Sequence, residues 1–126
     1  MRLTAHLTTT ASIAALIGCL GFAPTIAIAD DTDALSADLA KGKELAFDRK
    51  KGNCLACHEI AGGSLAGNIG PPLIAMKARF PDYDKLRAQI YDSRVNNPNT
   101  IMIPFGPNAV MTAEEIDLVA NFIYTL

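Results

Sequence analysis

The order of apolar and polar positions divides the chain in two near residue 30. From Ala11 to Ala29 the chain is almost continuously apolar, interrupted only by small residues and Pro24. Beyond Asp30-Asp31 the apolar positions recur at helical spacing in separate short segments. This spacing predicts a helix over about 37–51, with Leu39, Ala40, the stem of Lys43 and Phe47 on one face. Gly42 lies inside that helix, where glycine costs about 1 kcal/mol relative to alanine, and it marks a place where another backbone passes close by. A short helix is expected over 72–79, ending before Pro81. Another should run from near Asp82 to about Ser93, with Tyr83, Leu86 and Ile90 inward. The last helix has the clearest start. Thr112 and Glu115 form a capping box, and Met111 and Ile116 stand at the positions of a hydrophobic staple. Its apolar stripe is Ile116, Val119, Ala120, Phe122 and Ile123.

The connecting segments carry turn chemistry. Residues 59–72 are rich in Gly, Ala, Ser and Asn and predict an irregular loop. Asn96-Asn97-Pro98-Asn99-Thr100 is a turn, and Pro104, Gly106 and Pro107 keep the following stretch from being helix or central strand. No strand pattern and no internal repeat is visible. The expected fold is all-α, four or five helices around one centre.

A chain of 126 residues suffices for one domain. Its net charge of −2 gives no reason to expect a nucleic-acid partner. The apolar run changes the picture of location. Arg2 precedes it, and it ends Ala27-Ile28-Ala29, the small residues that a signal peptidase takes. Residues 1–29 therefore read as a cleaved export signal, 30–37 as a flexible leader and 38–126 as the folded domain. An uncleaved membrane anchor is the alternative, disfavoured by Pro24 and by a run that barely reaches spanning length. Leu16-Ile17-Gly18-Cys19 also resembles a lipobox, but the chain stays apolar after Cys19, unlike lipid-anchored chains. The expectation is a periplasmic protein with no membrane span in its mature form.

Without residues 1–29 the chain keeps two cysteines and one histidine, all between Cys54 and His58. Cys54-Leu55-Ala56-Cys57-His58 is C-x-x-C-H, the haem c attachment motif. Two thiols so spaced can reach the two vinyl groups on one haem edge, and the adjacent histidine then ligates the iron. Three other chemistries use such cysteines. A thioredoxin-type dithiol sits at a strand-to-helix junction, zinc needs four ligands, and a disulfide across two residues is possible in an oxidising compartment. None of them explains why His58 is the only histidine left.

With no second histidine, a bis-His site within the mature chain is excluded, and the sixth ligand is sought among Met76, Met102 and Met111. Met111 has a packing role, and Met76 sits on an expected helix as core. Met102 lies in the proline-bracketed loop 98–107 and is the expected axial ligand, the alternative being a methionine that only packs on the haem. Pro71 is placed by sequence to accept the other ring N–H of His58 through its carbonyl, unless Gly70-Pro71-Pro72 is a plain turn.

Gly42, Phe47, Cys54–His58, Gly70-Pro71, the late-loop methionine and a final aromatic helix resemble class I cytochrome c over nearly the whole of 38–126. That resemblance implies a fold whose first and last helices cross nearly at right angles around one covalent haem c. Lys51-Gly52-Asn53 with the haem motif, Gly67-Asn68-Ile69-Gly70-Pro71-Pro72-Leu73, Arg79-Phe80-Pro81-Asp82 and Asn97–Gly106 are similar to the X subunit (SoxX) of the Sox sulfur-oxidation cytochrome. Ile103 departs from that family, which usually has a second proline there. The resemblance implies a SoxA-like cytochrome partner. In that SoxAX complex, an L-cysteine S-thiosulfotransferase, thiosulfate is conjugated to a cysteine of a sulfur-carrier protein, and electrons pass to a small cytochrome c.

Both cysteines of 30–126 are used by the haem, so no catalytic residue is assigned to this chain and any reacting thiol belongs to another subunit. A free-standing periplasmic electron carrier is the alternative function, and a haem sensor with an exchangeable sixth ligand a third. A subunit would show an apolar patch near the haem edge, whereas a carrier would show a charged rim.

Overall fold

A computed structural model describes residues 31–126. The expected export signal and Cys19 lie outside the described residues. The described chain is helical, without strands. Helix α1 spans Asp31–Phe47, α2 Met76–Arg79, α3 Tyr83–Tyr91 and α4 Ala113–Tyr124. Single 3-10 turns cover Cys54–Ala56 and Ser93–Val95.

The centre of the fold is the packing of α1 on α4. A Cβ built on Gly42 would fall 2.1 Å from the Leu118 carbonyl oxygen and 3.0 Å from the Phe122 Cβ. Only a glycine lets the two backbones meet there. This contact rotates the buried face of α1 away from the one expected. Gly42, Leu45 and Ala46 are buried, whereas Ala40 and Lys43 are exposed and Leu39 and Phe47 half-buried. The apolar spacing alone could not select between two neighbouring faces, and the close approach at Gly42 does. Phe47 meets the edge of Phe122 at 6.1 Å between ring centres. Helix α1 also starts earlier than the spacing suggested, with Asp31 and Asp33 in its first turn, where the helix dipole favours acidic side chains. It stops at Phe47, because Asp48 turns the chain. The Asp48 carbonyl accepts from the N–H groups of Lys51 and Asn53, and the Leu45 carbonyl from that of Gly52.

Helix α4 starts as its sequence dictates. The Glu115 N–H donates to Thr112 Oγ1, and the Thr112 N–H donates to Glu115 Oε2. Ile116, Val119, Ala120, Phe122 and Ile123 are all buried, and Met111 is buried in the same core. Helix α3 is capped by Asp82, whose carboxylate accepts from the Asp84 N–H, and it buries Leu86 and Ile90. It leans on α4 through the edge-to-face pair Tyr83–Tyr124, 5.4 Å between centres, and the Arg87–Asp117 ion pair. The short helix expected over 72–79 is reduced to α2, one turn, because Ala75 just before it takes a left-handed conformation, φ 49°, that no helix continues through.

Candidate haem site

The C-x-x-C-H segment follows directly from the turn that ends α1. Gly52 is buried against the last turn of that helix, where a Cβ would fall 2.8 Å from the Leu45 carbonyl oxygen. Asn53 takes a left-handed conformation, φ 46°, and turns the chain into the 3-10 turn Cys54–Ala56. The Cys54 carbonyl accepts from the His58 N–H at 2.9 Å, which folds the motif back on itself.

The glycine-rich loop then lies along this motif. The Gly67 N–H donates to Leu55 O, the Gly70 N–H to Cys57 O, and the Leu73 N–H to Glu59 O, each at 2.8–2.9 Å. Gly67 and Gly70 permit that closeness, since a Cβ on Gly67 would fall 2.1 Å from the Ala56 carbonyl oxygen, and one on Gly70 would fall 2.4 Å from His58 Cε1. The loop thereby delivers Pro71 to the histidine. His58 Nδ1 is 2.7 Å from the Pro71 carbonyl oxygen. A carbonyl only accepts, so Nδ1 carries the proton and Nε2 keeps the lone pair that a metal takes. Arg79 on α2 secures the other side of this loop by donating to the Pro72 carbonyl at 2.7 Å.

Cys54, Cys57, His58 and Met102 line one cavity of about 450 Å³, closed behind by core residues such as Leu86, Ile90 and Phe105. The structure thus brings together the residues that the sequence singled out. Met76 also lines the cavity and is buried, but its sulfur is engaged by Arg79 at 3.6 Å. Met111 lies in the core away from the cavity wall. Burial pushes the Cys54 thiol up to about 11, and the neighbouring Cys57 adds to the rise. A neutral, buried thiol is the opposite of the activated thiolate of a dithiol oxidoreductase.

Sequence reasoning missed what holds Met102. Beside the prolines expected to stiffen its loop, hydrogen bonds come from Ser93 just beyond α3, from Thr100 in the loop itself and from Gln89 on α3. Ser93, fully buried, donates its hydroxyl to the Met102 carbonyl at 2.8 Å. The Met102 N–H donates to Thr100 Oγ1 at 3.1 Å. The amide of Gln89 stands 4.0 Å from the Met102 sulfur. Further along, the Gly106 N–H donates to Tyr91 O, and a Cβ there would strike the Tyr91 ring at 2.2 Å. A polar residue one turn from a helix end leaves no periodic signal, so only Gly106 was legible.

The site fits a haem. Its volume lies within the range of cofactor pockets, its walls are mostly hydrophobic, and two thiols and an oriented imidazole stand on it. Among the described residues, no helix is long and apolar enough to cross a membrane.

Known proteins agree with this architecture. An uncharacterised lipoprotein of Aquifex aeolicus (strain VF5) is 40% identical over 73 residues, 56% of this chain and 35% of that protein. The chain therefore spans about a third of the length of the curated relative it matches. The crystal structure of SoxXA from P. pantotrophus contains a chain of the same fold, with a TM-score of 0.62 and 23% identity over 68% of this chain and 79% of that one. The fold is that of class I cytochrome c. Residues 37–123 match the cytochrome c family model described as "Cytochrome C oxidase, cbb3-type, subunit III", and the chain belongs to that family of haem-binding electron-transfer proteins.

Proposed function

We propose that the chain is the monohaem electron-transfer subunit of a SoxAX-type thiosulfate-oxidising complex. Cys54 and Cys57 would hold one haem c through thioether bonds from their thiols. His58 would ligate the iron through Nε2, its ring oriented by the Nδ1–H bond to the Pro71 carbonyl, and Met102 would supply its sulfur as the second ligand. When bound, the haem supplies a one-electron iron couple. The protein's own part is to orient the two ligands and to keep water from the buried wall formed by α3 and α4.

The observation that carries the subunit reading is the rim of the cavity. Ile69, Ile101 and Ile103 line it yet are 64%, 73% and 46% exposed. Among the described residues, Arg79 is the one charged side chain lining the cavity. An apolar rim suits a lasting partner, whereas a transient carrier relies on charge for docking. The likeness to SoxXA supports a SoxA-like cytochrome as that partner. Because both cysteines of 30–126 go to the haem, the reacting sulfur would lie on another subunit, and this chain would be non-catalytic. A sulfur-carrier protein would meet the complex, and a small cytochrome c would receive the electrons. The setting is the periplasm, reached through the signal at 1–29, since haem attachment needs an exported, reduced apoprotein. Purification of the native protein from its host should bring down a second cytochrome at fixed stoichiometry. A lone monomer would overturn the subunit reading and leave the free carrier.

A further inference from the structure

Gln89 and Asn96 form a short polar relay that ends on the Met102 sulfur. Gln89 is on the last turn of α3 and lines the haem cavity. Asn96 follows the 3-10 turn Ser93–Val95 and does not line that cavity. Asn96 Nδ2 donates to Gln89 Oε1 at 2.8 Å, and Gln89 Nε2 then faces Met102 Sδ at 4.0 Å.

The sulfur decides which end of the Gln89 amide faces it. A thioether sulfur is a weak acceptor and never a donor. If the Gln89 amide were reversed, its oxygen would face that sulfur, acceptor against acceptor. With the –NH₂ turned to the sulfur, Gln89 Oε1 is the end that accepts from Asn96 Nδ2, and this bond supports that orientation. Asn96 is itself exposed, so the relay runs from the surface to the cavity wall.

We infer that Asn96 is a positioning residue which, through Gln89, sets how strongly the Met102 sulfur donates to the iron. The inference rests on Met102 being the axial ligand. An N–H aimed at the sulfur withdraws electron density from it. That weakens its support of the ferric ion more than of the ferrous ion, and so favours the reduced state. The positive end of the amide dipole acts in the same direction.

The test uses the purified holoprotein, the variants Gln89→Leu, Asn96→Leu and the double variant, with redox titration and the oxidised absorption spectrum read together. Gln89→Leu should move the ferric/ferrous equilibrium toward ferric by roughly fivefold, the effect of one hydrogen bond. Asn96→Leu should move it the same way by a smaller factor. The double variant should match Gln89→Leu alone, because two residues acting through one bond are not additive. The weak sulfur-to-iron band should persist in all three variants. Equal potentials in wild type and Gln89→Leu, or shifts that add in the double variant, would overturn the relay. A wild-type spectrum without that band would instead sink Met102 as the ligand, which separates the two failures.

Discussion

Single residues in this protein serve two structures at once. Glu115 closes the capping box of α4 and also pairs with Lys51, 2.8 Å away, on the turn before Cys54. The cap was legible in the sequence, but the ion pair, which spans 64 positions, was not. The Lys51 ammonium first, and then the Thr112 N–H, hold the Glu115 carboxyl below its usual range. A depressed folded-state value means stability that is present above the ordinary carboxylate range and lost as pH falls through the folded value. Glu115→Gln keeps the capping box and loses the ion pair, so it should cost only a few tenths of a kcal/mol near neutrality, roughly 0.5 after solvent screening. The gap to wild type should close in acid, which urea titrations of the holoprotein at several pH values would reveal. Met102 works in the same double way, as a loop residue tied to α3 and as the proposed ligand. Met102→Ala should abolish the sulfur-to-iron band while leaving covalent haem on the chain, as checked by mass.

At the scale of elements, the contact that decides the fold is α1 on α4. Gly42→Ala would gain up to about 1 kcal/mol in helix propensity. Against this, the new methyl would meet a backbone carbonyl 2.1 Å away, and a carbonyl within a helix cannot swing aside. Overpacking of that kind costs about 1–3 kcal/mol, so the variant should melt at a lower temperature than wild type in a calorimetric scan of the holoprotein. The same contact explains why periodicity pointed to Leu39, Ala40, Lys43 and Phe47 when Gly42, Leu45 and Ala46 are the buried set. A residue without a side chain adds nothing to an apolar pattern, yet here it positions the helix.

For the whole molecule, the cofactor completes the core. The cavity of about 450 Å³ lies against the same residues that make up the hydrophobic centre, among them Met76, Leu86, Ile90 and Phe105. With the cavity unfilled, that apolar wall would face water, a loss of hydrophobic burial at the centre of a small domain whose stability is marginal. A chain that cannot attach haem, Cys54→Ala with Cys57→Ala, should therefore lose most of its helical circular dichroism at room temperature. A native-like spectrum from that variant would show that the helices hold themselves together.

The sequence by itself determined the chemistry and the caps. Cys54, Cys57 and His58 are adjacent along the chain, Thr112–Glu115 is a local motif, and helical class follows from short-range spacing; each depends only on neighbours within a few positions. The Pro71 partner of His58 was also foreseen, and the structure places the two at 2.7 Å. What only the tertiary structure decided are relations between distant segments. These are the face that α1 buries, the Lys51–Glu115 pair, the hold of Ser93 and Gln89 on Met102, and the apolar rim of Ile69, Ile101 and Ile103. None of them repeats along the chain. Each arises because a close helix contact at one glycine and a cavity wall built from α3 and α4 bring unrelated positions within bonding distance.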